Sequence, residues 1–143
     1  MAILSITSHS EQETFALGKR LASSFKAGDL IVLEGQLGAG KTVFVRGLAA
    51  GLGLDEQLIS SPSFGLVNEY PGEIPLYHFD LYRVNDMHEL YEIGWEEYLS
   101  RNGVVVVEWG ERAEEHLPRQ YYKGTFTIAS DEVRVIDISL VQT

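Results

Sequence analysis

The sequence feature that most constrains the fold is a glycine-rich segment at residues 35–42, Gly-Gln-Leu-Gly-Ala-Gly-Lys-Thr, which we call the glycine loop. It fits the pattern G-x-x-x-x-G-K-[ST]. In this pattern the glycines let backbone N–H groups surround phosphate oxygens, while a lysine and a hydroxyl reach the terminal phosphates and Mg²⁺. Such a loop has to join a buried strand to the start of a helix. The pattern therefore predicts a nucleotide-binding loop within an α/β fold.

The residues on either side of the glycine loop have the pattern that it requires. Residues 30–34 form a short apolar run that is typical of a buried parallel strand. Residues 41–52 carry Val45, Leu48 and Leu52 at the spacing of one helix face. That helix would direct its free amides and the positive end of its dipole at an anion. The alternative, a glycine-rich turn with an incidental lysine, is disfavoured by this order of strand, loop and helix.

Composition narrows the class of protein further. The chain has 143 residues, 45% of them hydrophobic, which suits one compact core, so we expect a single domain over residues 1–143. It has no cysteine, which excludes disulfides and thiolate metal sites. Its formal charge of −10 argues against direct binding to a nucleic-acid backbone. No segment has the pattern of a membrane span or a signal peptide, which predicts a cytoplasmic protein with no membrane partner.

Periodicity and capping signals outline the other elements. They predict a mainly parallel central sheet flanked by helices, with antiparallel hairpin strands in addition. The expected elements are a strand at 3–6, a helix capped by Ser8 or Ser10 and ending near Gly28, a hairpin of strands 66–70 and 76–81, two short helices within 86–99, a strand at 104–108, and a closing hairpin over 123–140.

Two carboxylates lie where chemistry is expected. Four valines end on Glu108, as in a central parallel strand that delivers an acid to its carboxyl edge, where open α/β sheets bind ligands. Glu108 is thus a candidate Mg²⁺-associated acid with Thr42 as the hydroxyl partner; the alternative is a carboxylate facing water. Alternation along the strand at 76–81 puts His78 and Asp80 on one face, continued by Tyr82, for which solvent exposure is the alternative.

Four stretches together resemble the motifs of a family of small bacterial ATPases, TsaE, also called YjeE. They are the glycine loop and residues 61–64 (Ser-Pro-Ser-Phe), 78–83 (His-Phe-Asp-Leu-Tyr-Arg) and 107–109 (Val-Glu-Trp), in matching order and spacing. The similarity spans about residues 18–109. Two positions depart from the family pattern, since Gln36 stands where Asp is frequent and Ser63 where Thr is usual.

The resemblance implies a P-loop ATPase that uses ATP and Mg²⁺. In that family the protein is required for the threonylcarbamoyladenosine (t6A) modification of certain tRNAs and works with the partner proteins TsaB and TsaD. Its ATP hydrolysis is thought to reset the complex between turnovers. Contact with tRNA would be indirect, through the complex, which agrees with the acidic composition.

Carried over by position, the resemblance also assigns roles to residues. Lys41, Asp80 and Glu108 would be catalytic, with Asp80 near the metal or the attacking water, and Thr42 and Glu108 would surround Mg²⁺. Residues 61–64 would act as a switch loop, and Trp109 would lie near the site or the partner surface. The nucleotide-binding set would be Leu37, Gly38, Ala39, Gly40, Lys41, Thr42 and Ser61.

Two other classes of function use the same loop. A small-molecule kinase would need a basic lid, whereas Arg101, Arg112 and Arg119 are scattered along the chain. A nucleotide-dependent binding switch with negligible hydrolysis would report the bound state through residues 61–64. The guanine-reading sequence Asn-Lys-x-Asp is absent, which favours ATP over GTP.

Overall fold

The protein is built on one seven-stranded sheet with helices on both faces. The computed structural model describes residues 2–36, 38–55, 57 and 67–143. The strands are β1 (Ala2–Ser8), β2 (Leu30–Gly35), β3 (Val67–Tyr70), β4 (Leu76–Asp80), β5 (Val104–Glu108), β6 (Gln120–Ile128) and β7 (Arg134–Gln142). The helices are α1 (Glu11–Leu21), α2 (Lys41–Gly51), α3 (Met87–Glu92) and α4 (Trp95–Ser100), with 3-10 turns at Ala22–Ser24 and Gly110–His116.

The sheet is mixed, which corrects the prediction of a mainly parallel one. Its order is β1-β7-β6-β2-β5-β4-β3. The inner strands β6, β2, β5 and β4 run parallel to one another, whereas the pairs β1–β7, β7–β6 and β4–β3 are antiparallel. The sequence predicts β6 and β7 as a closing hairpin in addition to the parallel sheet. In the structure β6 pairs parallel with β2, and β7 pairs antiparallel with β1. Half of the pairings are therefore antiparallel.

Side-chain alternation on the strands feeds two apolar cores, one on each face of the sheet. Ile31 and Leu33 of β2 join the core beneath α1 and α2, while Leu30 and Val32 join the core beneath α3 and α4. Helices α1 and α2 approach closely, since a Cβ added at Gly47 would collide with the carbonyl oxygen of Phe15. This contact holds the helix that follows the glycine loop against the rest of the fold.

The start of α1 settles which of two predicted caps is used. Ser10 is the N-cap, and its hydroxyl accepts a hydrogen bond from the N–H of Glu13 at 3.1 Å. The Glu13 carboxylate accepts a hydrogen bond from the N–H of His9 at 3.2 Å, so the return bond comes from the residue before the N-cap and not from Ser10 as in a standard capping box. Ser8 is instead buried at the end of β1 and pairs with the hydroxyl of Thr14 at 2.7 Å.

The other predicted elements, including the β3–β4 hairpin and the two short helices, are also present. In the part of the chain that the structure describes, no helix has the length and apolar character needed to cross a membrane.

Candidate functional site

The strand register places three candidate segments at one edge of the sheet. Glu108, the last residue of β5, is paired with Leu33 of β2 on one side and with Asp80 of β4 on the other. All three strands are parallel, so their carboxyl ends lie side by side, and the glycine loop continues directly from β2. This is the edge where open α/β sheets bind ligands.

The glycine loop has a backbone conformation that side chains rarely adopt. Gly38 has a φ of 80° and Gly40 a φ of 98°, and Gly40 is the N-cap of α2 without a side-chain cap. A Cβ at Gly38 would meet nothing within 4 Å, so the surface of the loop is open there. The start of an eleven-residue helix, behind a loop that is open at Gly38, has the geometry of known anion sites.

Lys41, at the first position of α2, is only 4% exposed. Its Nζ donates a hydrogen bond to the carbonyl oxygen of Gly35 at 2.5 Å and lies 3.9 Å from the ring centroid of Trp109. Burial lowers the pKa of Lys41, and the negative charges of Glu108, Glu111 and Asp80 oppose that shift. The ammonium is therefore held inside the glycine loop, at a cost in solvation that a bound anion would offset.

Glu108 is buried and receives two hydrogen bonds on the same oxygen. Thr42 Oγ1 donates to its Oε2 at 3.3 Å, and His78 Nε2 lies 2.5 Å from that oxygen. A contact this short between a ring nitrogen and a carboxylate oxygen requires a proton between them. This hydrogen bond brings Thr42 and Glu108 together, while their role around Mg²⁺ stays a prediction.

Asp80 ends β4 beside Glu108 and is half-buried. Its Oδ1 accepts a hydrogen bond from the N–H of Tyr82 at 3.0 Å, which fixes the turn after the strand. Burial raises the pKa of Asp80, and the neighbouring Glu108 raises it further, although the hydrogen bond from Tyr82 opposes the shift. Two carboxylates so close to one lysine form a site suited to a cation bound together with an anion.

Trp109, the residue after Glu108, lines the same cavity as Glu108. Its φ of 60° is the only positive φ of a residue other than glycine in the described residues, and such a conformation costs about 1–3 kcal/mol. In this conformation the indole of Trp109 lies against the ammonium of Lys41. The ring of Tyr82 packs against the indole, with ring centroids 4.9 Å apart. Strained residues cluster at functional sites, which agrees with this position.

Two cavities meet at the glycine loop. The first, of about 230 Å³, brings together Lys41, Thr42, Asp80, Glu108 and Trp109. The second, of about 170 Å³, lies between α1, the glycine loop and the β6–β7 turn; its polar lining includes Ser10, Glu11, Thr14, Asp131 and Arg134. Glu11, Gly38, Gly40 and Val43 line both cavities.

We expect the carboxylate of Asp80 to cost stability. Because its pKa is raised in the folded protein, the favourable contribution of its proton is present at low pH and is lost as the pH rises through that pKa. Asp80→Asn should therefore be more resistant to urea than the wild type at pH 7, and the difference should shrink as the pH falls toward the ordinary pKa of Asp. Urea unfolding of both proteins without nucleotide, across this range, measures it. A variant less stable than the wild type at pH 7 would contradict it.

Most of the candidate residues converge, and the structure adds one new contact and one residue that the sequence did not single out. Gly38, Ala39, Gly40, Lys41 and Thr42 lie in or next to the glycine loop, with Asp80 and Glu108 opposite. Leu37, Ser61 and the rest of the segment 61–64 lie outside the described residues. The additions are His78, whose polar face was noted but not its contact, and Arg134, whose Nη2 donates to the carbonyl of Gly38 at 3.1 Å.

Fold and site together define a mixed α/β protein whose glycine loop lies at the carboxyl edge of its sheet. A family model described as "Threonylcarbamoyl adenosine biosynthesis protein TsaE" matches residues 8–136. The chain belongs to the TsaE family.

Individual relatives agree with this assignment. The TsaE protein of Bacillus subtilis (strain 168) is 42% identical over 131 residues, which cover 91% of this chain and 81% of that one. The TsaE protein of Treponema pallidum (strain Nichols) is 39% identical over 132 residues, covering 92% and 97%. The crystal structure of Bacillus subtilis YdiB superimposes with a TM-score of 0.80 at 36% identity and covers 100% of this chain and 88% of that one.

Proposed function

We propose that this protein is a cytoplasmic P-loop ATPase, one domain over residues 1–143, that serves as an accessory subunit in the t6A modification of tRNA. The observation that carries the proposal is the convergence of Lys41, Thr42, Asp80 and Glu108 on one cavity at the glycine loop. A nucleoside triphosphate and its Mg²⁺ require such groups, namely a lysine, a hydroxyl and carboxylates. Family membership supplies the biological context, threonylcarbamoyl adenosine biosynthesis.

The donor set fits Mg²⁺ accompanied by a nucleotide. In the described part of the chain, no three His, Asp or Glu side chains are grouped so as to hold a metal ion by themselves. Mg²⁺ usually takes only one or two protein ligands and completes its shell with phosphate oxygens and water. Thr42 and Glu108 would hold the ion, which would neutralise charge on the transferred phosphoryl group. Asp80, on the neighbouring strand, would orient the attacking water molecule.

The two cavities suggest how a nucleotide would lie. The first contains the ammonium of Lys41 and the start of α2, and it suits phosphates. Among the described residues, the second has no lysine in its lining, and the carboxylates of Asp131 and Glu132 there accept hydrogen bonds from the hydroxyl and amino groups of a nucleoside. We place the phosphates in the first cavity and the nucleoside toward the second, with the glycine loop between them.

Hydrolysis fits the site better than phosphoryl transfer to a second substrate. A kinase needs basic groups to close over its acceptor. Here Arg101 pairs with Glu69 of β3 and with Glu97 of α4, and Arg112 donates to the carbonyl of Val84. Both guanidinium groups are thus engaged by residues outside the glycine loop.

The proposal predicts slow hydrolysis by the isolated protein and acceleration by TsaB and TsaD. Phosphoryl transfer needs a cation that neutralises transition-state charge. Arg46 and Arg83, the two arginines with a plausible route to the site, are exposed. Arg134 reaches the glycine loop but donates to the carbonyls of Ser130, Asp131, Val133 and Gly38. A partner would complete the site by supplying a cation; the alternative, an action through residues 61–64, concerns a segment outside the described residues.

The test follows phosphate release in single-turnover experiments while purified TsaB and TsaD are titrated against the protein. We expect a rate increase of at least about 10-fold, since a cation supplied in trans raises turnover by about 10³–10⁵-fold in the best-known cases. Binding is verified separately, for example by analytical ultracentrifugation. An unchanged rate in a verified complex would favour a self-sufficient ATPase, and no phosphate release in any mixture would favour a binding switch.

A further inference from the structure

The buried imidazole of His78 is the polar group of the site that the proposed function leaves without a role. His78 is 0% exposed in the middle of β4, two residues before Asp80 and therefore on the same face of the strand. Burying a polar ring costs free energy unless the ring is hydrogen-bonded. The hydrogen bonds of His78 therefore indicate what the ring does at this position.

The hydrogen bonds of His78 are one-sided. Nε2 lies 2.5 Å from Glu108 Oε2, whereas Nδ1 is buried and has no hydrogen-bond partner among the described residues. Buried histidines that serve packing alone usually have both nitrogens satisfied. The ring is thus tied to the fold through a single polar contact, and that contact is with the candidate metal-associated acid.

This contact restrains the carboxylate of Glu108. Oε2 faces both His78 Nε2 and the hydroxyl of Thr42, while within the described residues no hydrogen bond goes to Oε1. Two donors on one oxygen fix the rotation of the carboxylate about its terminal bond, so that Oε1 is the oxygen left for a ligand. A proton on Nδ1 instead of Nε2 would place lone pairs of nitrogen and oxygen against each other.

We propose that His78 is a positioning residue, which through its Nε2–H holds Glu108 in the orientation that leaves Oε1 available to the hydrated magnesium ion of a bound nucleotide. This inference rests on the proposed function. His78 acts through Glu108 and touches neither the nucleotide nor the ion. Groups that orient a metal-associated carboxylate or histidine in this way are typically worth about 10- to 100-fold in metal affinity or activity.

The first test is a direct observation of the proton on the wild-type ring. Nitrogen-15 NMR of the imidazole, recorded on the nucleotide-free protein at neutral pH, distinguishes a protonated from an unprotonated ring nitrogen. We expect Nε2 of His78 to carry the proton. A signal that shows Nε2 without a proton would overturn the proposal. Because this experiment needs no ATP hydrolysis, its result is independent of whether the protein is an ATPase.

The second test compares three substitutions by the Mg²⁺ dependence of ADP binding, measured by titration calorimetry. His78→Gln places an amide N–H near the position of Nε2, His78→Asn places one near Nδ1 that cannot reach Glu108, and His78→Leu has no donor. We expect the half-saturating Mg²⁺ concentration to rise about 10- to 100-fold for the Asn and Leu variants and to stay within about threefold for Gln. Affinity for ADP without Mg²⁺ should not change.

Tyr77→Phe is the matched control, since Tyr77 precedes His78 on β4 but packs into the opposite core. A Leu or Asn variant with the wild-type Mg²⁺ requirement would overturn the positioning role. Urea unfolding identifies any variant that fails to fold, and the NMR measurement then still decides. If the wild type itself shows no Mg²⁺-dependent ADP binding, it is the proposed function that fails.

Discussion

Lys41→Ala should reduce ATP hydrolysis by at least about 100-fold, because removing a group that stabilises developing transition-state charge typically costs on the order of 10²–10³-fold in turnover. The ammonium of Lys41 donates to the carbonyl of Gly35 and lies against the ring of Trp109. A bound triphosphate would replace part of that environment with phosphate oxygens. Nucleotide binding should therefore weaken as well, since the same charge contacts the ground state.

The fold should survive this substitution. Burial lowers the pKa of Lys41, so the folded protein already disfavours its charge, and a neutral side chain removes that cost. Phosphate release and nucleotide affinity are measured together with urea unfolding, and Lys26→Ala, which removes an exposed lysine away from the site, serves as the control. If the Lys41→Ala variant hydrolysed ATP at the wild-type rate, the glycine loop would not be the segment that binds the phosphates.

Glu108→Gln should separate binding from turnover. The substitution keeps the shape of the side chain, and its carbonyl can still accept from His78 and Thr42, but the negative charge that would hold Mg²⁺ or its waters is lost. Turnover should fall about 10- to 100-fold, while nucleotide affinity measured without Mg²⁺ stays within about threefold. The expected phenotype is a protein that binds ATP and rarely hydrolyses it.

Glu115→Gln removes the same charge from an exposed position on the Gly110–His116 turn and should change neither quantity. The measurement is phosphate release over a range of Mg²⁺ concentrations beside equilibrium binding of the nucleotide. A Glu108→Gln variant with normal turnover at limiting Mg²⁺ would move the role of the acid to another residue, with Asp80 across the β4–β5 pair as the first alternative.

Local patterns were sufficient to predict the parts of the site that are carried by consecutive residues. The glycine loop is recognisable because its conformation demands particular residues at fixed spacing, and Gly38 and Gly40 do have the positive φ that this implies. The valine run of β5 pointed to Glu108 because an unbroken β-branched run is typical of a parallel strand that is buried on both faces. The assignments to Leu37 and to Ser61 remain predictions, since neither lies in the described part of the chain.

Relations between distant segments could not be predicted in the same way. Periodicity shows that β6 and β7 form a hairpin, but not that β6 pairs with β2, and this pairing makes the sheet mixed. Alternation placed His78 on a polar face, but what covers that face depends on β5, about thirty residues later. Arg134 carries no local signal, because its role comes from the carbonyl of Gly38 across the fold.

The pairing of β1 with β7 has a consequence for the order of folding. Ser8 of β1 is paired with Arg134 of β7, and the guanidinium of Arg134 also donates to the carbonyl of Gly38. Strand β7 therefore contacts two segments that lie far from it in the sequence. Contacts of such high sequence separation form late and slow the search for the native state. A growing chain that lacks β7 has neither the strand that pairs with β1 nor the Arg134 side chain that donates to the carbonyl of Gly38. The sheet and the candidate site should therefore be completed in one late, cooperative event.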